Sequence, residues 1–345
     1  MIFIGLSQRK LKILSAIVEN YIENGEPVSS KNLCSILNLG VSSATLRNEM
    51  AELTELGFLE QPHTSAGRIP SDIGYRLYVD ELMKKKNVPT VTKQLINNSL
   101  KTNFGTAEDL MNSASNILAD ITKCAVISTT ISSETSKIVS VNIVKAGKYT
   151  AFMVVTTSTG VVKSKLFRVG FLLEEKYVEL FHLILNENFL ELTVSQVTSN
   201  LINFVLSSSK DVLPIVTDVI LNFYELCNEI SQSVTRVEGQ TNLLFTSDFD
   251  SKSALDLLNY LKSSDSISNL FLKAHDNKNA LIGREINCEE LLKSSILTKA
   301  YSVNGKDLGS IGIVGPMRMD YGLVISCMDY LTSEVEVLLN DLLEF

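Results

Sequence analysis

Residues 29–57, SSKNLCSILNLGVSSATLRNEMAELTELG, set a narrow limit on what the start of this chain can become. Ser29 or Ser30 suits the N-cap of a short helix whose Leu33, Ile36 and Leu37 face inward. Asn38-Leu39-Gly40 reads as a tight turn, with Gly40 free to take positive φ. Ser42 or Ser43 caps a longer helix that turns Leu46, Met50 and Leu53 inward and stops at Gly57. A short helix, a glycine turn and a longer helix make a helix-turn-helix pattern. Another amphipathic helix precedes it over residues 7–24, where Leu11, Leu14, Ile17, Val18, Tyr21 and Ile22 recur at helical spacing. Ser7 suits its N-cap and Gly25 its end, after which Pro27 holds the chain extended.

The outer face of the third helix carries chemistry. Its first turns hold Ser43, Thr45, Arg47 and Asn48, all hydrogen-bonding side chains, and the acidic Glu49, Glu52 and Glu55 come later. A recognition helix reads base edges with its N-terminal residues, and its dipole favours phosphate there. Arg suits guanine and Asn suits adenine in the major groove, which singles out Arg47 and Asn48. A solvated helix of mixed polarity has a similar face, so the flanking residues must decide. FLEQP at 58–62 reads as a short strand, and GRIP at 67–70 as its antiparallel return. The loop between them forms the tip of a wing carrying His63, Thr64, Ser65 and Arg68, suited to phosphates or the minor groove. Charge alone does not show this: residues 1–86 hold ten basic and ten acidic side chains, so the rest of the chain carries the whole net charge of −8.

Two stretches, VSSATLRNEMAELTELGFLEQPHTSAGRIPSDIGYRLYVD at 41–80 and LGSIGIVGPMRMDY at 308–321, resemble the heat-inducible transcription repressors of bacteria, the HrcA family. The resemblance covers nearly the whole chain. Met317 stands where the family usually has Thr, and QTNLLFTSDF at 240–249 follows the family's NLL-x-x-PEF only loosely.

The remaining residues give a coarse map. The 345-residue length suggests two or three domains. Residues 84–105 read as a linker with some helix, in which Lys84–Lys86 are a solvated run. A helix at 107–122 leads into the strand CAVISTT. Three strands follow in 138–169, joined at Ala146-Gly147-Lys148 and Ser158-Thr159-Gly160. Helices are expected over 174–189, 193–206 and 211–230, with Pro214 near the start of the last, and again at 252–263. Asn304-Gly305 is the strongest hairpin signal, and a closing amphipathic helix is read over 328–344. The glycines of GSIGIVG do not make a phosphate loop, because their spacing is wrong and Pro316 follows where a helix should open.

The resemblance implies an α+β multidomain fold: an N-terminal winged helix-turn-helix at 1–86, a linker at 87–106, and a discontinuous GAF-like α/β domain at 107–137 and 236–345. An inserted α/β dimerisation subdomain would occupy 138–235. The GAF-like pieces would be the helix and strand at 107–130 and strands near 269–314. It also implies a homodimer on double-stranded DNA, at an inverted-repeat operator upstream of chaperone genes, released on heating and returned to its active form by the GroE chaperonin. No cofactor or metal is expected.

A winged-helix regulator gated by a small ligand in the GAF-like domain is the alternative. An enzyme is disfavoured: His63, His182 and His275 lie in separate segments, with His182 packed on a helix and His275 at an exposed turn. Cys34, Cys124, Cys227, Cys288 and Cys327 are odd in number and far apart, which reads as buried free thiols in a reducing cytoplasm. No apolar run is long enough for a membrane span or a signal peptide.

Overall fold

A computed structural model of the chain describes residues 6–37, 40–64, 66–101, 107–130, 136–158, 160–208, 213–231, 235–246, 248–263, 267, 270, 274, 280–303 and 305–342. The expected GAF-like stretch 269–279 and the turn at His275 lie largely outside them.

The first three helices form as their caps dictate. In α1 (Gln8–Asn24) the Ser7 hydroxyl accepts from the Lys10 amide, and Gly25 ends the helix at φ +70°. In α2 (Ser30–Leu37) only Leu33 is fully buried. Ile36, expected inward, is 45% exposed, because the buried edge of so short a helix runs through Leu33 and Leu37. In α3 (Ser43–Glu55) the cap is Ser42, and Leu46, Met50 and Leu53 are buried as expected.

The chain then makes a hairpin. Strand β1 (Leu59–Glu60) pairs antiparallel with β2 (Ile69–Pro70), Leu59 opposite Pro70. Val28 and Arg68 exchange two backbone hydrogen bonds of 2.9 Å, so residues before α2 brace the hairpin base. Gly67 permits this approach, since a Cβ there would collide with the Val28 carbonyl. Helix α4 (Asp72–Leu77), capped by Ser71, continues into a wider π-helical turn ending at Leu82.

Helix α5 (Thr90–Lys101) occupies much of the expected linker and is docked, with Ile96 and Leu100 buried. Lys85 and Lys86 are exposed, as expected of a solvated run, and also pair with Asp329 and Asp320. Helix α6 (Ala107–Thr122) precedes β3 (Ala125–Thr130). Next come β4 (Ile138–Lys145), β5 (Thr150–Thr157) and β6 (Val162–Arg168), an antiparallel three-stranded sheet of its own. Helices α7 (Glu175–Phe189), α8 (Ser199–Ser208) and α9 (Leu213–Ser231) follow. The helix expected from 193 begins only at Ser199, after a short 3₁₀ turn, because Thr193 and Thr198 each cap a separate start.

The chain returns in β7 (Thr235–Glu238), α10 (Ser251–Tyr260), β8 (Ala280–Ile282), β9 (Ser294–Val303), β10 (Lys306–Pro316) and α11 (Tyr321–Leu342). These build a five-stranded antiparallel sheet in the order β7-β3-β10-β9-β8. Thr129 of β3 lies opposite Thr235 of β7, so residues 136–231 leave and re-enter the sheet at one place. They carry their own core around Phe181, Phe189 and Phe223. A second core runs without a break from Ile13 of α1 to Leu339 of α11. A third lies on the other side of the large sheet, around Leu243, Leu257 and Ile296.

Strand β10 pairs on both sides, so its glycines lie inside a sheet and not in a phosphate loop. Helix α11 starts seven residues before the expected position, where Asp320 Oδ1 accepts from the Leu323 amide at 3.1 Å. The five cysteines are free, but Cys34 and Cys288 are only half-buried. Among the described residues no helix is long and apolar enough to cross a membrane.

Candidate nucleic-acid interface

The start of α3 is fixed by hydroxyls. Ser42 Oγ accepts from the Thr45 amide at 3.2 Å and lies 3.0 Å from Thr45 Oγ1. Ser43 Oγ meets Ser30 Oγ at 3.0 Å, tying the first turn of α3 to the first turn of α2. The two helices of the motif are therefore held at a set angle by a side-chain bond as well as by Leu33 and Leu46.

Of the four helix residues singled out in the sequence, Arg47 and Asn48 are exposed, while Ser43 and Thr45 are half-buried. Arg47 and Asn48 are one residue apart on the same outward arc, and no bond to either is found among the described residues. Both side chains are thus available to an outside partner. Ser43 and Thr45 shape the turn that presents them.

The acidic half of α3 is neutralised from inside. Glu49 is buried, and its carboxylate takes the Arg9 guanidinium of α1, with Nε at 2.8 Å. Lys10 pairs with Glu52 at 2.5 Å, and that hydrogen bond raises the Lys10 pKa. Two carboxylates that would repel a phosphate backbone are thereby drawn toward α1.

In the hairpin loop His63 and Thr64 are exposed, and Ser65 lies outside the described residues. The loop is held by Gln61, whose Nε2 donates to the Thr64 and Ala66 carbonyls at 2.9 and 3.2 Å. The Ala66 amide closes onto His63 O at 2.8 Å. Sequence reasoning missed Gln61; its one signal was an amide side chain at the strand end. Arg68 is not at the tip. It sits at the hairpin base, and its Nε donates to Thr54 Oγ1 of α3 at 2.9 Å. Arg76, further along the chain, is buried against Glu285, away from this surface.

Elsewhere, a cavity of about 660 Å³ lies beside α11, lined in part by Asn242, Asp248, Arg318 and Asp320. These groups are already engaged: Arg318 with Asp248, Asn242 with the Ala119 and Cys124 carbonyls, Asp320 with Lys86. His182 is half-buried, its Nε2 3.1 Å from Ile143 O on the edge of the three-stranded sheet. The described residues hold no cluster of metal-ligating side chains.

Residues 108–325 match the family model described as the HrcA protein C-terminal domain. The heat-inducible transcription repressor HrcA of Clostridium tetani is 34% identical over 348 residues, covering 99% of this chain and 98% of that protein. The protein of the same name from Acetivibrio thermocellus is 33% identical, covering 96% of this chain and 95% of that protein. A crystal structure of a protein described only as hypothetical superposes with a TM-score of 0.67 at 24% identity, covering 98% of this chain and all of that one.

Proposed function

The chain belongs to the HrcA family of heat-inducible transcription repressors, and from that premise we propose how it holds its operator. The N-terminal unit, residues 1–86, is a winged helix that reads double-stranded DNA. Arg47 and Asn48 read base edges, with Ser43 and Thr45 setting the helix turn that carries them. His63 and Thr64 at the wing tip, with Ser65 next in the sequence, meet the sugar-phosphate backbone, while Arg68 orients the wing through Thr54. The observation that carries this reading is the exposed pair Arg47 and Asn48 at the start of α3, beside an exposed loop that Gln61 holds in shape.

The five-stranded body is the GAF-like domain, at 107–137 and 236–345, joined to the winged helix by residues 87–106. The inserted unit at 138–235 is the dimerisation subdomain. One face of its sheet is covered by α7 and α9. On the other, Val144, Phe152 and Leu166 stand opposite one another across three strands, 57%, 36% and 61% exposed. A row of this kind suits burial against a second copy. Two winged helices related by a twofold axis then meet two half-sites of an inverted repeat.

The regulated genes are chaperone operons in the cytoplasm. Heat releases repression because a marginally stable fold changes population steeply near its midpoint. The GroE chaperonin returns the released protein to its active form. Exposed apolar side chains such as Phe204 and Phe245, 64% and 86% exposed, offer surface of the kind a chaperonin holds.

The test is a gel-shift titration on an inverted-repeat chaperone-promoter operator and a scrambled control at fixed salt, since phosphate contacts make affinity strongly salt-dependent. It is run at growth temperature and about ten degrees above, a span comparable with the few-degree shifts that move a domain's midpoint. Specific binding lost on heating and restored by chaperonin is the expected result. Equal binding to both DNAs would overturn the reading.

A further inference from the structure

The winged helix is bound to the body at two charged joints. At the first, α4 lies against β8 and the turn after it. Arg76 is 8% exposed, and its Nε donates to Glu285 Oε1 at 2.8 Å. One terminal nitrogen donates to the other Glu285 oxygen and to Ala280 O, the other to Asp80. Glu285 is fixed in turn by the Ile282 amide at 2.9 Å. Beside it Asp72 accepts from the Arg284 amide at 3.0 Å. Gly283, at φ +55°, wraps this turn around the Asp72 carboxylate so closely that a Cβ would lie 2.6 Å from Cγ.

At the second joint Arg318, from the closing motif, is held within the body by Asp248 at 2.8 and 3.3 Å. It also donates to Ile22 O, near the end of α1, at 3.3 Å. The guanidinium fills the space over Gly25, where a Cβ would lie 2.9 Å away. Between the joints the Tyr75 ring lies against Tyr321, with centroids 6.0 Å apart. Asp248 belongs to QTNLLFTSDF and Arg318 to the stretch containing Met317, so the two segments that depart from the family pattern still meet in this contact.

None of these pairs touches the exposed face of α3 or the wing tip. Their geometry constrains orientation. A carboxylate gripping an arginine by two nitrogens fixes an angle as well as a distance. One such grip, Arg76–Glu285, crosses from α4 to the body; the other, Arg318–Asp248, lies within the body and aims the guanidinium at the Ile22 carbonyl at the end of α1, so the unit is held at two points and does not pivot about either. A dimer that reads an inverted repeat needs this rigidity, since its half-sites lie about 34–36 Å apart or a multiple of that. Loosely tethered readers tolerate many spacings and lose effective concentration at the correct one.

Resting on the operator-binding reading above, we propose that Arg76–Glu285 and Arg318–Asp248 are positioning pairs that set the half-site spacing this repressor accepts. They act through the angle of the winged helix on the body and not by contact with DNA.

The full-length chain is compared with its Glu285→Gln and Asp248→Asn variants, singly and together. Each is titrated on the operator, on operators whose spacer is lengthened or shortened by a few base pairs, and on a single half-site. Wild type should bind the natural spacing best. The double variant should lose roughly ten-fold there, within the range that avidity supplies. Its preference among spacers should flatten, and its half-site affinity should stay within about two-fold, since base contacts are untouched. The exchange Arg76→Glu with Glu285→Arg should recover spacer preference in part. Unchanged spacer preference in the double variant would overturn the proposal, and so would equal loss on every DNA, which marks a plain stability role. Amide hydrogen exchange of the same proteins gives a readout without DNA. Residues 72–82 and 280–286 should lose protection together in Glu285→Gln while α3 keeps it. Loss throughout α3 would also overturn the proposal. Should wild type bind no operator specifically, the repressor reading fails, and the exchange result still judges the joints.

Discussion

Arg47 and Asn48 differ from Ser43, Thr45, Glu49, Glu52 and Thr54 of α3 in having no bond to spend inside the protein among the described residues. Arg47→Ala should therefore lose about 1–3 kcal/mol of discrimination at one base pair, the scale of a bidentate base contact. Titration of operators changed one base pair at a time measures it; a uniform loss at every position would place Arg47 on phosphate instead. Arg68 makes a different prediction. Its Nε is held by Thr54, so Thr54→Val should lower stability by about 1 kcal/mol, the net worth of one hydrogen bond, and leave base discrimination intact. Thermal melting and the same titration separate the two effects. Residue types and their order on α3 were legible because helical spacing assigns faces. The position of Arg68 was not, because only the Val28 bridge shows that residue to be strand base and not loop tip.

Among the elements, the hairpin depends on one close approach. Gly67→Ala sets a Cβ against the Val28 carbonyl, backbone that cannot turn aside. It should cost about 3 kcal/mol, on the scale of severe backbone mutations, and lower the melting temperature with loss of operator binding. Helix α10 offers a pH prediction. Asp250 caps it, and hydrogen bonds from the Ser253 amide and hydroxyl, then Lys293, bring the carboxyl down to about 2. Its pKa in the unfolded chain is about 3.9, so the folded value is depressed. Its contribution is complete above about pH 4 and is lost as pH falls toward 2. Acid unfolding of Asp250→Asn should differ from wild type above that window, and the difference should close within it. A constant difference would mean the cap acts without its charge. Caps made the early helices legible: Ser7, Ser42 and Gly25 mark ends that the fold keeps. The start of α11 was not legible, because residues 321–330 have no exposed side chain and so show no amphipathic contrast. Strand β7 was missed for another reason: only its pairing with β3 makes four residues, Thr235–Glu238, a strand.

For the whole molecule, the unbroken core from α1 to α11 joins residues 1–86 to the body apolar side to apolar side, with charged pairs around it. The inserted unit has its own core, so it can melt separately. Composition hid the proposed division of labour, since residues 1–86, proposed to face DNA, carry no net charge and the rest carries the −8. On the proposed reading specific binding falls to a few exposed residues, a claim that one comparison tests most directly. Wild type and the Arg47→Ala/Asn48→Ala variant are titrated by fluorescence anisotropy, at one salt concentration, on the inverted-repeat operator and on a scrambled duplex. Wild type should prefer the operator by at least roughly 10³, the lower end for specific repressors. The variant should keep its salt-dependent binding to both duplexes while that preference falls toward one. An undiminished preference in a folded variant would contradict the account, because the operator would then be read by some surface other than the start of α3.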